Sequence, residues 1–352
     1  IRPIHGDDEA GTLFHLIDRT VTAMGGRALK QWLTHPLLDL AAIGARLDAV
    51  QELVEHPDAR RALRAHLQGI NDLERIVAKC GAGRVHARDL LGLGNSLVEA
   101  GRAGELLQGM RSPLLQAQGA LLAGLEARGA GLAAHFTERP PLTVREGGMI
   151  RPGAFPELDA LNAGIRDGRE WLNGLQQREK EATGIPSLKV GYNKVFGYYI
   201  EVTKTHEDKV PAHYLRKQSL TGAERYITPE MKEWENRILS AETGINALEY
   251  KLFCGLRDAV AAEAPRLLEA ARALAVADVL QSLAAAAHDL RFTRPEVVED
   301  AGLRILGGRH PVVEALSDEG GFIANDVELD ARDRQIVLVT GPNMAGKSTY
   351  LR

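Results

Sequence analysis

The chain has 352 residues, 45% of them hydrophobic, 26% charged and only 5% aromatic, an ordinary composition for a globular protein of two or three domains. A net charge of −4 gives no global support to nucleic-acid binding, and two cysteines, Cys80 and Cys254, with no CxxC spacing read as reduced core thiols rather than a disulfide framework. Apolar runs are broken by charge before the roughly 18 residues a membrane span needs, and the N-terminus lacks the order of a signal peptide, so a cytoplasmic chain is expected.

From about Thr12 to Leu125 the pattern is helical. A helix carrying Ala28, Leu29, Trp32 and Leu33 ends at a turn marked by Pro36. The next, with Asp39 as N-cap and Pro57 as stop, has Leu40, Ile43, Leu47, Val50 and Val54 at steps of three and four, which predicts one buried face. Glycines at Gly69, Gly81–Gly83 and Gly101 read as breaks between further helices. The Pro/Gly-rich stretch 137–155 reads as a loop with a short strand or two. A long helix follows, with Phe155, Leu158, Leu161, Ile165, Leu172 and Leu175 on one side, and stops at Gly184 and Pro186.

Composition changes abruptly at residue 187. "SLKVGYNKVFGYYIEVTK" is β-branched and aromatic, and predicts a hairpin turning around Tyr192–Lys194, with a second strand pair in "YLRKQSLTGAERYIT". Between Pro186 and Ile227 seven basic residues stand against four acidic ones, a net +3 that leaves −7 for the rest, and five of the seven tyrosines lie here. Basic side chains beside aromatics on a β surface suit contact with a phosphodiester backbone, but a solvated charged face reads the same way. Helix then resumes with Thr228 as N-cap and Pro229 at the first position. Met231, Trp234, Ile238, Ala241, Ile245, Leu248 and Leu252 form a coiled-coil-like seam. The result is a long helix out, a basic β module and a long helix back, an arm with a β-rich tip. A β insertion that only caps a helical hairpin is the alternative.

A further helix is expected to start near Asp278. Short apolar runs in "LRILGGRHPVVEAL", "FIANDVEL" and "RQIVLVT" then read as the start of a sheet, and His310 sits at its glycine-rich turn. The last run leads into Gly341-Pro342-Asn343-Met344-Ala345-Gly346-Lys347-Ser348, which fits the G-x-x-x-x-G-K-[ST] phosphate loop. The glycines let backbone N–H groups approach phosphate oxygens. Lys347 is suited to reach the β- and γ-phosphates of ATP or ADP, and the Ser348 hydroxyl to bind Mg²⁺. Thr349 follows at the start of the expected helix. No paired carboxylates, Cys/His metal ligands or Ser/His/Asp arrangement compete with this motif.

These residues resemble the MutS family of DNA mismatch repair proteins. "TGPNMAGKSTYLR" is similar to the family's phosphate loop, where the Pro-Asn-Met interior is distinctive. "VGYNKVFGYYIEVTK" and "RKQSLTGAERYITPEMKE" resemble its clamp, and "INDLERIVAKCGAGRVHARDLLGLGNSL" its helical core. "GGRHPVVE" and "FIAND" are similar to the entrance of its ATPase domain. The resemblance implies a mainly α multidomain fold. Residues 1–154 become helical core, 155–185 a lever helix, 186–227 a β-rich DNA clamp, 228–290 the returning lever and end of the core, and 291–352 the start of an α/β P-loop ATPase domain of the ABC class.

It further implies mismatched double-stranded DNA as ligand, a homodimeric parent, a MutL-type partner, ATP/ADP and Mg²⁺ as cofactors, and a place at the nucleoid. Phe322 matches the aromatic that stacks on adenine, with Asn325 close by. Lys194, Lys204, Arg216, Lys217 and Arg225 are the expected DNA-backbone contacts. The family's mismatch-reading domain and Walker B residues have no counterpart in this sequence, which does not begin with Met. It is therefore expected to be an internal portion, inactive alone. A MutS-like ATPase acting in recombination, or a non-enzymatic DNA-holding scaffold, are the alternatives.

Overall fold

The computed structural model describes residues 11–193, 197–316, 322–342 and 346–351, for Arg169 the backbone only. The chain is mainly helical, with small antiparallel sheets. The described residues of Ile1–Gly81, Gly92–Gly131 and Ala261–Arg352 form one compact unit, and Ala82–Leu91 with Leu132–Val260 a second.

The helices are α1 (Leu13–Ile17), α2 (Ala23–Thr34), α3 (Leu40–Glu55), α4 (Pro57–Gln68), α5 (Leu73–Gly81), α6 (Ala87–Gln108), α7 (Pro113–Leu121), α8 (Leu125–Ala134), α9 (Pro156–Thr183), α10 (Pro229–Ala262), α11 (Ala264–Asp289), α12 (Pro311–Leu316) and α13 (Lys347–Leu351). Strands β1 (Lys189–Asn193), β2 (Gly197–Thr203), β3 (Leu215–Ser219) and β4 (Ala223–Ile227) form a sheet in the order β1-β2-β4-β3, and β5 (Leu303–Gly308) pairs with β6 (Asn325–Leu329).

In the first unit α11 is the central element and packs against α2, α3, α4, α5 and α7. It is long and apolar enough to cross a membrane by length and composition, contrary to the expectation from charge spacing. Its apolar side chains are instead buried among its neighbours, Leu274, Val279 and Leu280 completely. The helix starts at Ala264, well before the expected start near Asp278. Asp278 is fully buried in mid-helix and holds the entry to α2, whose N-cap is Thr22: it accepts from the Thr22 N–H (2.8 Å), the Val21 N–H (3.1 Å), the Thr22 hydroxyl (2.6 Å) and the Gln281 amide (2.7 Å). Burial raises its pKa against the lowering effect of these donors.

Asp39 caps α3 as its position implied, its carboxylate accepting the Ala41 N–H at 3.0 Å. Pro57 does end the α3 pattern, but by opening α4 at its first position, where the missing N–H costs nothing. The expected buried stripe of α3 differs. Ala49, Glu52 and Leu53 face the core, while Ile43, Leu47 and Val50 line an apolar recess of 330 Å³ with Trp32, Leu33 and Leu37. Nothing among the described residues fills that recess.

Gly101 is not a break either. It lies inside α6 because a Cβ there would sit 2.5 Å from the Glu126 backbone nitrogen, so its absence is what lets α8 approach. Ala at this position should gain about 1 kcal/mol of helix propensity in isolation. In the protein, Gly101→Ala is expected to lower the melting temperature, which a thermal unfolding curve reads directly.

In the second unit the 137–155 stretch makes one bridge, Phe136↔Ile150. The helix α9 ends on Gly184 in the left-handed conformation, φ 66°, with its N–H on the Lys180 carbonyl. Thr228 caps α10 through the Met231 N–H at 3.1 Å. Helices α9 and α10 pair side by side: Trp171 and Trp234 stack at 5.3 Å, and Gly168 makes room for Ile238 and Trp234.

The expected seam is only partly the buried one. Met231, Ile238 and Ile245 are buried with Phe253, whereas Trp234, Ala241, Leu248 and Leu252 are half-buried and Glu235 and Glu249 take interior positions. Each glutamate is there to receive backbone donors, Tyr198 N–H on Glu235 at 3.3 Å and three on Glu249. The core under the sheet joins Leu172, Leu175, Ile185, Leu188, Ile200, Val202, Tyr226, Met231 and Ile238. Each such fully buried aliphatic side chain contributes about 1.5–3 kcal/mol.

Strand pairing runs past the expected turn: Tyr192 pairs with Tyr198 and Asn193 with Gly197. The aromatic contact at 4.9 Å extends the strands, and Gly197, at φ 78° and hard against Glu235, supplies a backbone conformation that L side chains rarely adopt. In the 303–351 region the run 335–340 forms no strand. Ile336 and Leu338 are 89% and 85% exposed, because no partner strand stands beside them among the described residues.

Candidate nucleotide and nucleic-acid sites

Glycines bracket the phosphate-loop motif with positive backbone angles, Gly341 at φ 153° and Gly346 at φ 85°. Pro342 is exposed, and Asn343, Met344 and Ala345 lie outside the described residues. Lys347 opens α13, its Nζ donating to the Gly341 carbonyl, so the ammonium is held against the loop's own backbone. Ser348 is exposed on the first turn.

A cavity of 380 Å³ adjoins this helix. Ile305, Val312, Phe322 and Val327 give it apolar walls, and Asn325, His310 and Thr349 also line it. The structure thus brings Phe322, Asn325 and Thr349, which are spread over 28 positions of sequence, to one recess. His310 serves the backbone there: its Nδ1 accepts the Val313 N–H at 3.2 Å at the start of α12. Leu13 of α1 and Tyr350 of α13 also line the cavity. Leu13 was not legible beforehand, since nothing local in sequence marks a residue some 300 positions from its neighbours.

On the four-stranded sheet the basic candidates divide into two kinds. Arg225 bonds Glu201 across the strand pair at 2.9 Å and Gln218 at 3.0 Å, and its guanidinium lies 4.1 Å from the Tyr199 ring centroid. Arg216 pairs with Glu207 and approaches Glu224 at 3.6 Å. Hydrogen bonding to Tyr226, then the charges of Glu224 and Glu207, raise its pKa. Both arginines therefore tie strands together.

Lys204 and Lys217 are exposed and make no ion pair among the described residues. Lys217 sits at a β-bulge, where the register shifts between Arg216 and Gln218, a geometry that re-aims the extra side chain. Lys194 lies outside the described residues. The sequence signal that could have separated the two kinds is the cross-strand register of Glu201 with Arg225, which pairs opposite charges directly.

Tyr214 anchors the sheet to the arm. Its hydroxyl donates to Glu179 of α9 at 2.6 Å, and burial followed by that bond pushes its pKa up. Among the described residues no group of His, Cys, Asp and Glu is arranged to hold a metal ion.

Residues 1–284 match the family model for MutS domain III. The DNA mismatch repair protein MutS of Anaeromyxobacter dehalogenans (strain 2CP-C) is 48% identical over 360 residues, covering 100% of this chain and 41% of that protein. The DNA mismatch repair proteins MutS of Synechocystis sp. (strain ATCC 27184 / PCC 6803 / Kazusa) and Halothermothrix orenii are 46% and 44% identical, covering 97% and 99% of this chain and 39% of each relative. The chain spans about two fifths of the length of the curated relatives it matches. Matched along its helical units by the family model and almost end to end by these relatives, the chain belongs to the MutS family.

Proposed function

We propose that the protein works in DNA mismatch repair, holding mismatched double-stranded DNA with its β-rich clamp and linking that grip to ATP binding and hydrolysis. The observation that carries this reading is the near-complete coverage of the chain by relatives named DNA mismatch repair protein MutS. Residues 1–154 and 228–290 then serve as core and returning lever, 155–185 as outgoing lever, 186–227 as clamp and 291–352 as the beginning of the ATPase domain. Homodimerisation, a MutL-type partner and action at the nucleoid belong to the same reading.

The residues at the phosphate loop fit a nucleotide. Lys347 offers a cation, Ser348 and Thr349 offer hydroxyls, and the recess beside them has the apolar walls and Asn325 amide suited to a base. Lys347 would hold phosphate oxygens and Ser348 the Mg²⁺; bound ATP would supply the phosphoanhydride whose hydrolysis drives the cycle. Gly341, Pro342, Asn343, Met344, Ala345 and Gly346 complete the loop, and Phe322 would stack on the base.

On the clamp, Lys204 and Lys217 carry the phosphate contact, with Lys194 as a further candidate. Arg216 and Arg225 contribute field while bracing the sheet. The test uses the full-length protein on a mismatched duplex across a salt series. Lys204→Glu with Lys217→Glu should weaken binding on matched and mismatched duplexes alike and reduce the log–log salt slope by about 2. An unchanged slope sinks the clamp assignment. Loss of preference for the mismatched duplex in the wild type would remove the repair reading.

A further inference from the structure

We propose that Leu13, on the first helix of the chain, is a specificity-determining residue of the nucleotide site, packing against the base. The proposal rests on the nucleotide reading above and adds to it a wall supplied by the helical part of the chain. Leu13 lines the same cavity as Phe322, Asn325 and Thr349, although it lies some 300 residues before them.

The helix that carries it is fixed from behind. Thr12, buried, caps α1 by accepting the His15 N–H at 3.2 Å, and Ile17, buried, offers its carbonyl to the Ser282 hydroxyl of α11 at 3.2 Å. The next residues are clasped as well, since the Arg19 N–H donates to Ser282 at 2.7 Å and the Thr22 N–H to Asp278. Helix α1 also packs on α12, whose Val312 is another wall of the cavity.

Against this anchoring Leu13 itself is 43% exposed. An apolar side chain is thus held at the mouth of an apolar recess by a helix whose other contacts are satisfied. Leu13, Ile305, Val312, Phe322 and Val327 together suit a flat heteroaromatic ring, whereas Lys347, Ser348 and Thr349 belong to α13; Arg309, which also lines the cavity, is paired with Glu314. The physical consequence is that base occupancy adds contact across α1, and so draws the 303–351 region onto the helix that α11 holds.

The test compares ADP with inorganic tripolyphosphate, which has no base, on the full-length protein. Covering one leucine makes a binding difference of about tenfold. Leu13→Ala is therefore expected to weaken ADP by that factor and leave tripolyphosphate unchanged, with Leu13→Met close to wild type. Independently of any variant, ADP should slow amide hydrogen exchange in residues 14–17, and tripolyphosphate should not.

Leu13→Ala binding ADP as tightly as wild type, or losing both ligands equally, overturns the assignment, as does exchange in 14–17 that ignores ADP. Failure of the underlying reading looks different: Lys347→Ala would then leave both ligands bound as before.

Discussion

Glu249→Ala is expected to destabilise the second unit by about 3 kcal/mol, the cost of leaving several buried donors without an acceptor. The Glu249 side chain is nearly fully buried on α10, and its carboxylate accepts three successive backbone N–H groups, from Gly148 (2.7 Å), Met149 (2.6 Å) and Ile150 (2.5 Å). Those residues belong to a loop that has almost no regular pairing of its own, only the bridge of Ile150 with Phe136. Gly147 turns the chain into place at φ 76°, where a Cβ would collide with Asn246 and Glu249.

With the carboxylate gone, the N–H groups of Met149 and Ile150 are orphaned in a dry environment, that of exposed Gly148 is released to solvent, and the loop loses its reason to fold back on α10. Hydrogen exchange provides the measurement: protection at 148–150 should collapse before the protection of the β1–β4 sheet does. Glu249→Gln, keeping one carbonyl oxygen, should recover part of it. Protection in Glu249→Ala equal to wild type would show that the loop is held by something else.

The second large effect belongs to Asp278→Asn in the first unit, about 2–3 kcal/mol. An amide keeps one acceptor but turns an NH₂ toward N–H groups of Val21 and Thr22, which now have one carboxylate between them. Its pH dependence has a distinctive sign. Burial holds the native pKa of Asp278 above that of the unfolded chain, so the native state keeps this proton longer than the unfolded state does.

The contribution of Asp278 is therefore greatest below the ordinary carboxylate range and declines as pH rises through the raised native value. Because asparagine does not titrate, the penalty of the substitution should grow as the solution is acidified from neutrality. Asp72 behaves oppositely. Hydrogen bonding to Arg27 depresses its pKa, so the cost of Asp72→Asn should shrink on acidification through the carboxylate range. Urea titrations of the two variants at pH 7 and 3 should move their penalties in opposite directions; parallel movement would contradict both assignments.

Both of these carboxylates escaped recognition in sequence for one reason. Asp278 was legible as a helix-capping residue type, and Glu249 as a polar position on an amphipathic helix, but the backbone segments they serve lie 256 and about 100 residues away. Local grammar identifies what a side chain can accept, not which distant donors will reach it. Arg216 and Arg225 show the same limit on the four-stranded sheet. Their charge and neighbouring tyrosines were visible, but the partners that bind them, Glu207 and Glu201, were fixed by strand register.

What the sequence determined by itself is nevertheless large. The caps at Asp39 and Thr228, the stop at Gly184 and the change to β structure near residue 187 all depend on near neighbours, through turn geometry, side-chain capping and periodicity of three to four or of two, and the motif at 341–348 is read from residue types alone. These also carried the family.

The tertiary structure alone decided which apolar stripe of α3 faces the core, why Gly101 lies within a helix, and that the run 335–340 stays unpaired. It also decided that Leu13 shares a cavity with Phe322. Each depends on what stands opposite: a helix surface is buried only where a second surface meets it, and a strand forms only beside a strand. Periodicity offers the face, and packing chooses its partner.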